Sequence, residues 1–251
     1  MVNGEAIRQV DYEAELSRFE SAQMASGIDL ATLDDYQIQL LETLIERKLL
    51  AQGAKAIGIV VNDVAIEEKI EAIAAELGGN EAIGTWLAVH GYTLQGFKSI
   101  LGEEMLAAQM VEQIVDKVGE STEQVHARHI LVSTQEEAES LLEEINAGAD
   151  FDQLARIHSI DPSTRPAGGD LGWFPRGYLL IPEVEAVAFT LQPNEVSKIV
   201  ESVLGFHIVQ SIERGVHPLT PDAQRYLREL AVEEWLLKMR ERSEIEIYTT
   251  P

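Results

Sequence analysis

The 251-residue chain contains no cysteine. That excludes disulfides, thiolate metal centres and cysteine nucleophiles, and it is compatible with a reducing or an oxidising compartment alike. Positive charge is scarce. Nineteen Lys and Arg stand against 43 Asp and Glu, a formal net charge of -24. A field of that sign repels nucleic acid and anionic lipid, so both are excluded as partners. It favours solubility and can attract basic segments of other chains; a plain solvated acidic surface and a client-selecting one both fit. No apolar run approaches the roughly 18 residues that a membrane span needs. No secretory signal is visible at the N-terminus. Met1-Val2-Asn3-Gly4-Glu5 already reads as the start of a folded domain, which leaves room for an export signal or anchor removed upstream.

From 11 to 119 the apolar residues recur at three- and four-residue spacing, as in Ile38, Leu41, Ile45 and Leu49. This is the pattern of helices with one buried face. Gly53 and the segment 58–63 interrupt it, and Asn62 or Asp63 can cap the next helix through a side-chain oxygen. Gly78-Gly79-Asn80 and Gly91-Tyr92-Thr93 make further breaks, with Thr93 as a second cap. About five helices are expected before residue 120.

The texture changes near Val118. Residues 126–132 are β-branched and apolar, which predicts a strand. Helices are expected at about 135–147 and 151–158. Residues 160–172 are rich in Pro, Gly, Ser and Asp, the mark of a long loop, and such loops are usually functional or mobile. Short strands follow around Trp173, around Ile199 and over 206–212, with a short helix near 183–189. Beyond Gly215, Thr220 and Pro221 open another helix. Its apolar residues Tyr226, Leu227, Leu230, Val232, Trp235, Leu236 and Met239 need a partner surface, expected in the N-terminal helices. The alternating segment 244–249 is expected to pair as an edge strand with Val2-Asn3-Gly4.

Three separated motifs carry the chemistry: Ala127-Arg128-His129-Ile130-Leu131-Val132, Gly168-Gly169-Asp170-Leu171-Gly172-Trp173-Phe174 and Gly205-Phe206-His207-Ile208-Val209, with Ser159-Ile160-Asp161 before the glycines. In this order and spacing they resemble the parvulin family of peptidyl-prolyl isomerases over roughly residues 124–214. A helical module interrupted by such a domain is similar to the SurA/PrsA type of bacterial foldase. The opening residues and Leu44-Ile45-Glu46-Arg47-Lys48-Leu49-Leu50 resemble the N-terminal chaperone region of that group. The resemblance implies an α+β protein with three parts. Residues 1–120 form a mostly helical chaperone module. Residues 124–214 form a parvulin-like domain, a four-stranded antiparallel sheet surrounded by helices. Residues 217–251 form a C-terminal helix and strand that pack back on the N-terminal module.

The same resemblance assigns His129 and His207 as paired core histidines on adjacent strands, where they can act in the site or simply hold the sheet. Asp161 matches the family's acidic position, although Asp161-Pro162-Ser163 is also good turn chemistry. Ser202 falls where relatives have a hydroxyl that bonds a histidine. Leu171 and either Leu179 or Leu180 match an apolar proline pocket. Val184 stands where many relatives have phenylalanine, which implies a looser pocket. Phe189 and Phe206 are expected nearby, in the pocket or in the core. No cofactor is implied. His126 and His129 lie three apart on a predicted strand and so point to opposite faces, which argues against a metal site. No Gly-x-Ser-x-Gly elbow supports a hydrolase, and Gly168-Gly169-x-x-Gly172 opens no long helix as a phosphate loop would.

Two functions follow from these residues. One is an isomerase and chaperone acting on X-Pro bonds of unfolded or exported polypeptides by non-covalent stabilisation of the twisted amide. The other is a peptide-binding chaperone whose parvulin domain is catalytically weak. The expected partners are unfolded or partly folded clients that contain proline. An extracytoplasmic location, periplasmic or in the cell envelope, is implied by the resemblance, and a cytoplasmic one stays compatible with the sequence.

Overall fold

The computed structural model describes residues 1–248; the last residue of the expected strand at 244–249 lies outside the described residues. The chain divides into two compact units, Met1–Lys117 with Leu230–Pro251, and Val118–Glu229.

The first unit is helical. It contains α1 (Gln9–Ala25), α2 (Tyr36–Ala56), α3 (Asp63–Leu77), α4 (Asn80–Val89), α5 (Leu94–Val115) and the second half of α9 (Pro221–Glu241). Asn62 and Thr93 start α3 and α5 by accepting the backbone N–H groups of Ala65 and Gly96, each satisfying one orphan donor of a first turn. Leu50, Ala51 and Ala54 of α2 bury against Leu106, Ala107, Met110 and Ile114 of α5, and Val232, Trp235 and Leu236 pack on the same cluster. Gly53 permits this closeness, because a Cβ there would lie 2.5 Å from the Trp235 ring. Of the apolar stripe at the start of α2, Leu41, Ile45 and Leu49 pack in a separate cluster with Val2 and Ile245. Ile38 is left half exposed. The segment near 245 contributes an isolated bridge, Val2 with Ile245, rather than a strand. Among the described residues no helix is long and apolar enough to cross a membrane.

The second unit is built on an antiparallel sheet in the order β2-β1-β4-β3. Its strands are β1 (Ser121–Val132), β2 (Asp170–Pro175), β3 (Val200–Ser202) and β4 (Gly205–Pro218). The central pair β1–β4 is longer at both strands than sequence periodicity predicts. Ser121 to Val125 pair with Pro218 to Arg214, although these residues are largely polar. Gln124 explains part of this, since its buried side-chain amide donates to the His217 and Pro218 carbonyls. The Arg214–Glu123 pair at 2.9 Å adds a cross-strand contact.

Strand alternation gives the sheet two apolar faces. One packs Val125, Ala127 and Val209 against Phe174, Val184, Ala188 and Phe189, under α8 (Pro182–Ala188). The other packs Ile130, Val132 and Ile208 against α6 (Gln135–Asn146) and α7 (Phe151–His158). These helices start at Thr134 and Asp150, whose side chains accept from Glu137 and Gln153.

Candidate active site

His129 and His207 sit on the two central strands, on the face that carries Val125, Ala127 and Val209. Both are buried, at 2% and 0% exposure. Their rings stack at 5.4 Å between centroids and 16° between planes, and their Nδ1 atoms are 3.2 Å apart. On the outer side of His129, Nε2 lies 2.9 Å from Asp161 Oδ2 and 3.1 Å from Thr164 Oγ1. On the outer side of His207, Nε2 lies 2.7 Å from Ser202 Oγ. Five side chains thus form one continuous chain across the sheet: Thr164, Asp161, His129, His207 and Ser202.

The proton positions follow from the network. Thr164 donates its hydroxyl to Asp161, and the Ser163 backbone N–H donates to the other carboxylate oxygen at 3.0 Å. Burial alone would raise the Asp161 pKa, but these two bonds, the bond from His129 and the charge of His129 outweigh it and lower the carboxyl to about 2. An ionised carboxylate only accepts, so His129 Nε2 carries a proton. A single N–H joins the two facing Nδ1 atoms, and His207 Nε2 meets the Ser202 hydroxyl at the far end. Ser202 Oγ in turn accepts the Leu204 backbone N–H at 3.1 Å. His207 is held neutral near pH 7. Burial first, then the charge of His129, push its pKa down to about 4, against the opposing fields of Glu183 and Asp161.

The backbone around the network is equally constrained. Ser159 Oγ is buried and accepts the N–H groups of Leu131 and Asp161 at 3.2 and 3.3 Å. That ties the start of the Asp161 loop to β1. The Gly169 carbonyl accepts the His129 N–H at 2.9 Å. Gly169 has φ +81, and a Cβ there would stand 2.0 Å from the His129 carbonyl oxygen. Only glycine fits both the left-handed backbone and this close approach.

The apolar residues divide. Leu171 and Leu179 are partly exposed and pack against the cluster of Phe174, Val184 and Phe189. Leu180 is 91% exposed and does not belong to that cluster. Val184 and Phe189 are 1% and 2% exposed. They belong to the buried cluster against which Leu171 and Leu179 pack. Phe206 packs with Ile130, Phe151 and Ile208 on the opposite sheet face. It neighbours His207 in an alternating strand, so it cannot share the histidine's side.

Sequence reading missed Thr164, although its place three residues after Asp161 in a Pro- and Ser-containing turn is a recognisable hydroxyl-to-carboxylate spacing. It also missed Ser159 as a brace. His126 turns away from the pair and meets Asp170 at 2.8 Å. Among the described residues no group of three His, Asp or Glu could hold a metal.

Comparison with known proteins agrees with this geometry. The PPIC-type PPIASE domain family matches residues 110–215, and the SurA-like N-terminal domain family matches residues 1–111. The chain is similar to the foldase protein PrsA of Halalkalibacterium halodurans, at 29% identity over 98% of this chain and 74% of the relative. It is similar to the PrsA of Caldanaerobacter subterraneus, at 35% identity over 74% of this chain and 60% of the relative. The chaperone SurA of Nitrosospira multiformis is 36% identical over 52% of this chain and 33% of its own length. The chain therefore spans about three-quarters, three-fifths and one-third of these relatives. Among solved structures, a PrsA peptidylprolyl isomerase from Bacillus cereus shares the fold, with a TM-score of 0.53 at 19% identity over 98% of this chain and 95% of that one. Residues 110–215 thus form a PPIC-type peptidyl-prolyl isomerase domain directly behind a SurA-like N-terminal domain, in a chain similar to the PrsA and SurA foldases and chaperones.

Proposed function

We propose that the chain accelerates cis-trans isomerisation of X-Pro bonds in unfolded polypeptides, and that the Thr164–Asp161–His129–His207–Ser202 chain with Leu171 and Leu179 is where it does so. The observation that carries this reading is the buried, fully paired histidine network beside two partly exposed leucines. The reaction breaks no covalent bond. Its obstacle is amide resonance, a rotational barrier of about 18–20 kcal/mol. A catalyst must bind the twisted amide better than either planar form. Leu171 and Leu179 offer apolar surface to a proline ring. The ionised Asp161 disfavours negative charge on a nearby carbonyl oxygen, and that charge is largest in the planar, conjugated amide. The histidines fix the carboxylate's position and keep the site's interior neutral.

No proton needs to move and no nucleophile is required. The catalytic roles of His129, Asp161, His207 and Ser202 belong to this proposal. Leu180, Val184, Phe189 and Phe206 are not included as ligand contacts, for the positional reasons given above.

The helical unit supplies the chaperone half of the reading. An apolar cleft of about 400 Å³ lined by Ile7, Tyr12, Leu41, Ile45 and Ile247 offers surface for a client segment. Unfolded proline-containing clients outside the cytoplasm, in the periplasm or at the cell envelope, are the substrates we infer. The net charge of -24 favours basic ones. Holding without catalysis is the weaker reading, because the domain matches an isomerase family and retains a complete network.

The test is isomerisation of short Xaa-Pro peptides by NMR exchange, with several residues before proline. Acceleration by wild type, reduced severalfold in a folded Leu171→Ala variant, is the expected outcome. Absence of acceleration for every peptide at high protein concentration would leave only the holding function.

A further inference from the structure

We propose that Glu185 is a positioning residue for substrate, a carboxylate that locks the wall of the proline pocket in its bound shape before a client arrives. The inference rests on the isomerase reading above and adds a residue that reading does not use. Strand β2 ends at Pro175 and α8 begins at Pro182. The six residues between them carry Leu179. Three consecutive backbone N–H groups in this connection converge on one side chain. Glu185 Oε1 accepts from Gly177 at 2.7 Å, and Oε2 accepts from Tyr178 and Leu179 at 3.0 Å each.

Successive N–H groups turned to one side form a concavity that binds anions. Gly177, at φ +80, supplies the left-handed residue that such a turn uses. Here the anion is internal. Glu185 sits on the first turn of α8, and its own N–H donates to the Ile181 carbonyl at 3.1 Å. One short helix therefore does two things. Through Val184 and Ala188 it fills the core, and through Glu185 it grips the connection from the other side. Val184 has no polar group with which to hold the backbone of residues 177–179; the carboxylate does. Charge-assisted bonds of this kind are roughly twice as strong as neutral ones. Without them the connection retains its apolar anchors Tyr178, Leu179 and Ile181 and three N–H groups that only water would satisfy. A loop left to order itself on binding charges that ordering against affinity.

The experiment compares wild type with Glu185→Gln and Glu185→Ala in full-length protein, using a proline tetrapeptide and NMR exchange. Hydrogen exchange of the 177–179 amides and the pH titration of the imidazole signals of His129 and His207 are recorded alongside. Expected for Glu185→Ala are a rise in KM of about tenfold, kcat within about twofold of wild type, lost protection at Gly177, Tyr178 and Leu179, and unchanged imidazole titrations. Glu185→Gln keeps one acceptor oxygen and should fall between the two, and it carries the test if the alanine variant does not fold. Lost amide protection with unchanged KM would overturn the proposal, and so would a joint collapse of kcat and of the imidazole titrations, the signature of general structural damage. If wild type itself shows no acceleration, the isomerase reading fails separately. Peptide Kd then decides: about tenfold weaker binding supports a positioning role for Glu185, and equal binding overturns it.

Discussion

The helical unit leaves its ion pairs only partly buried. Arg47 reaches Glu104 at 3.0 Å and Glu103 at 3.7 Å, with 21% of its side chain exposed, and its Nε finds no partner. Lys98 and Glu67 meet at 2.8 Å on the open surface. The sheet unit does the reverse. In its site it takes His129, His207 and Ser159 out of water and gives every one of them a partner, while the buried Ser211 Oγ of β4 goes without one. Burying a polar group is costly unless it is hydrogen-bonded, and a partly satisfied buried network is worse than an apolar core. The surface network can lose a member and be repaired by solvent. The buried chain cannot, so function and stability should be concentrated in it.

The largest effect is expected at Asp161. Replacing it with asparagine keeps the shape but removes the charge that fixes the His129 proton and repels the planar amide. We expect kcat/KM for Xaa-Pro peptides to fall on the order of 10²-fold, the usual magnitude for losing one preorganised electrostatic group in a site. Glu104→Gln in the helical unit should stay within about twofold of wild type in the same assay. Equal losses in the two variants would erase the distinction between the units.

The sequence reached this site unevenly, and the reasons are physical. His129, His207, Asp161 and Ser202 lie in short motifs whose order survives as text. Helix caps at Asn62 and Thr93 are local chemistry and were equally legible. Glu185 was invisible because a side chain gripping backbone N–H groups six to eight residues earlier has no periodicity and no composition signal. The first half of β1 was hidden by its polar residues, which pair because Gln124 and Glu123 find partners on β4 rather than because they are apolar. Phe206 shows the opposite case. Pocket and core were both open for it, and strand alternation with the packing against Ile130 and Ile208 places it on the face away from His207.

The second effect is a pH dependence of stability confined to the sheet unit. His207 is held at about 4 in the fold, against an ordinary value of 6.5. Below 6.5 the unfolded chain takes up a proton that the native ring refuses, so stability is fully present above 6.5 and is lost as pH falls towards about 4. Asp161, lowered from 3.8 to about 2, adds a loss in the same direction below that window. Urea unfolding between pH 7 and 4, read from amide signals of β1 and β4, should show a falling midpoint that His207→Asn flattens. A slope that survives the substitution would assign the dependence to other groups.

The smallest effect belongs to the surface pair of the helical unit. Lys98 and Glu67 are 29% and 58% exposed, and exposed pairs contribute little once side-chain ordering and salt screening are counted. Lys98→Gln should lower the melting temperature by no more than about 1–2 °C. The reason to measure so small a change is the net charge of -24. In a chain this acidic, removing one cation costs the pair and also raises the repulsion among the remaining carboxylates. If repulsion is the larger part, the loss should shrink in about 0.5 M salt, where the screening length falls to a few ångströms. A loss that persists in salt would mean that this ion pair is held as specifically as the buried chain, and the contrast between the two units would then be one of degree.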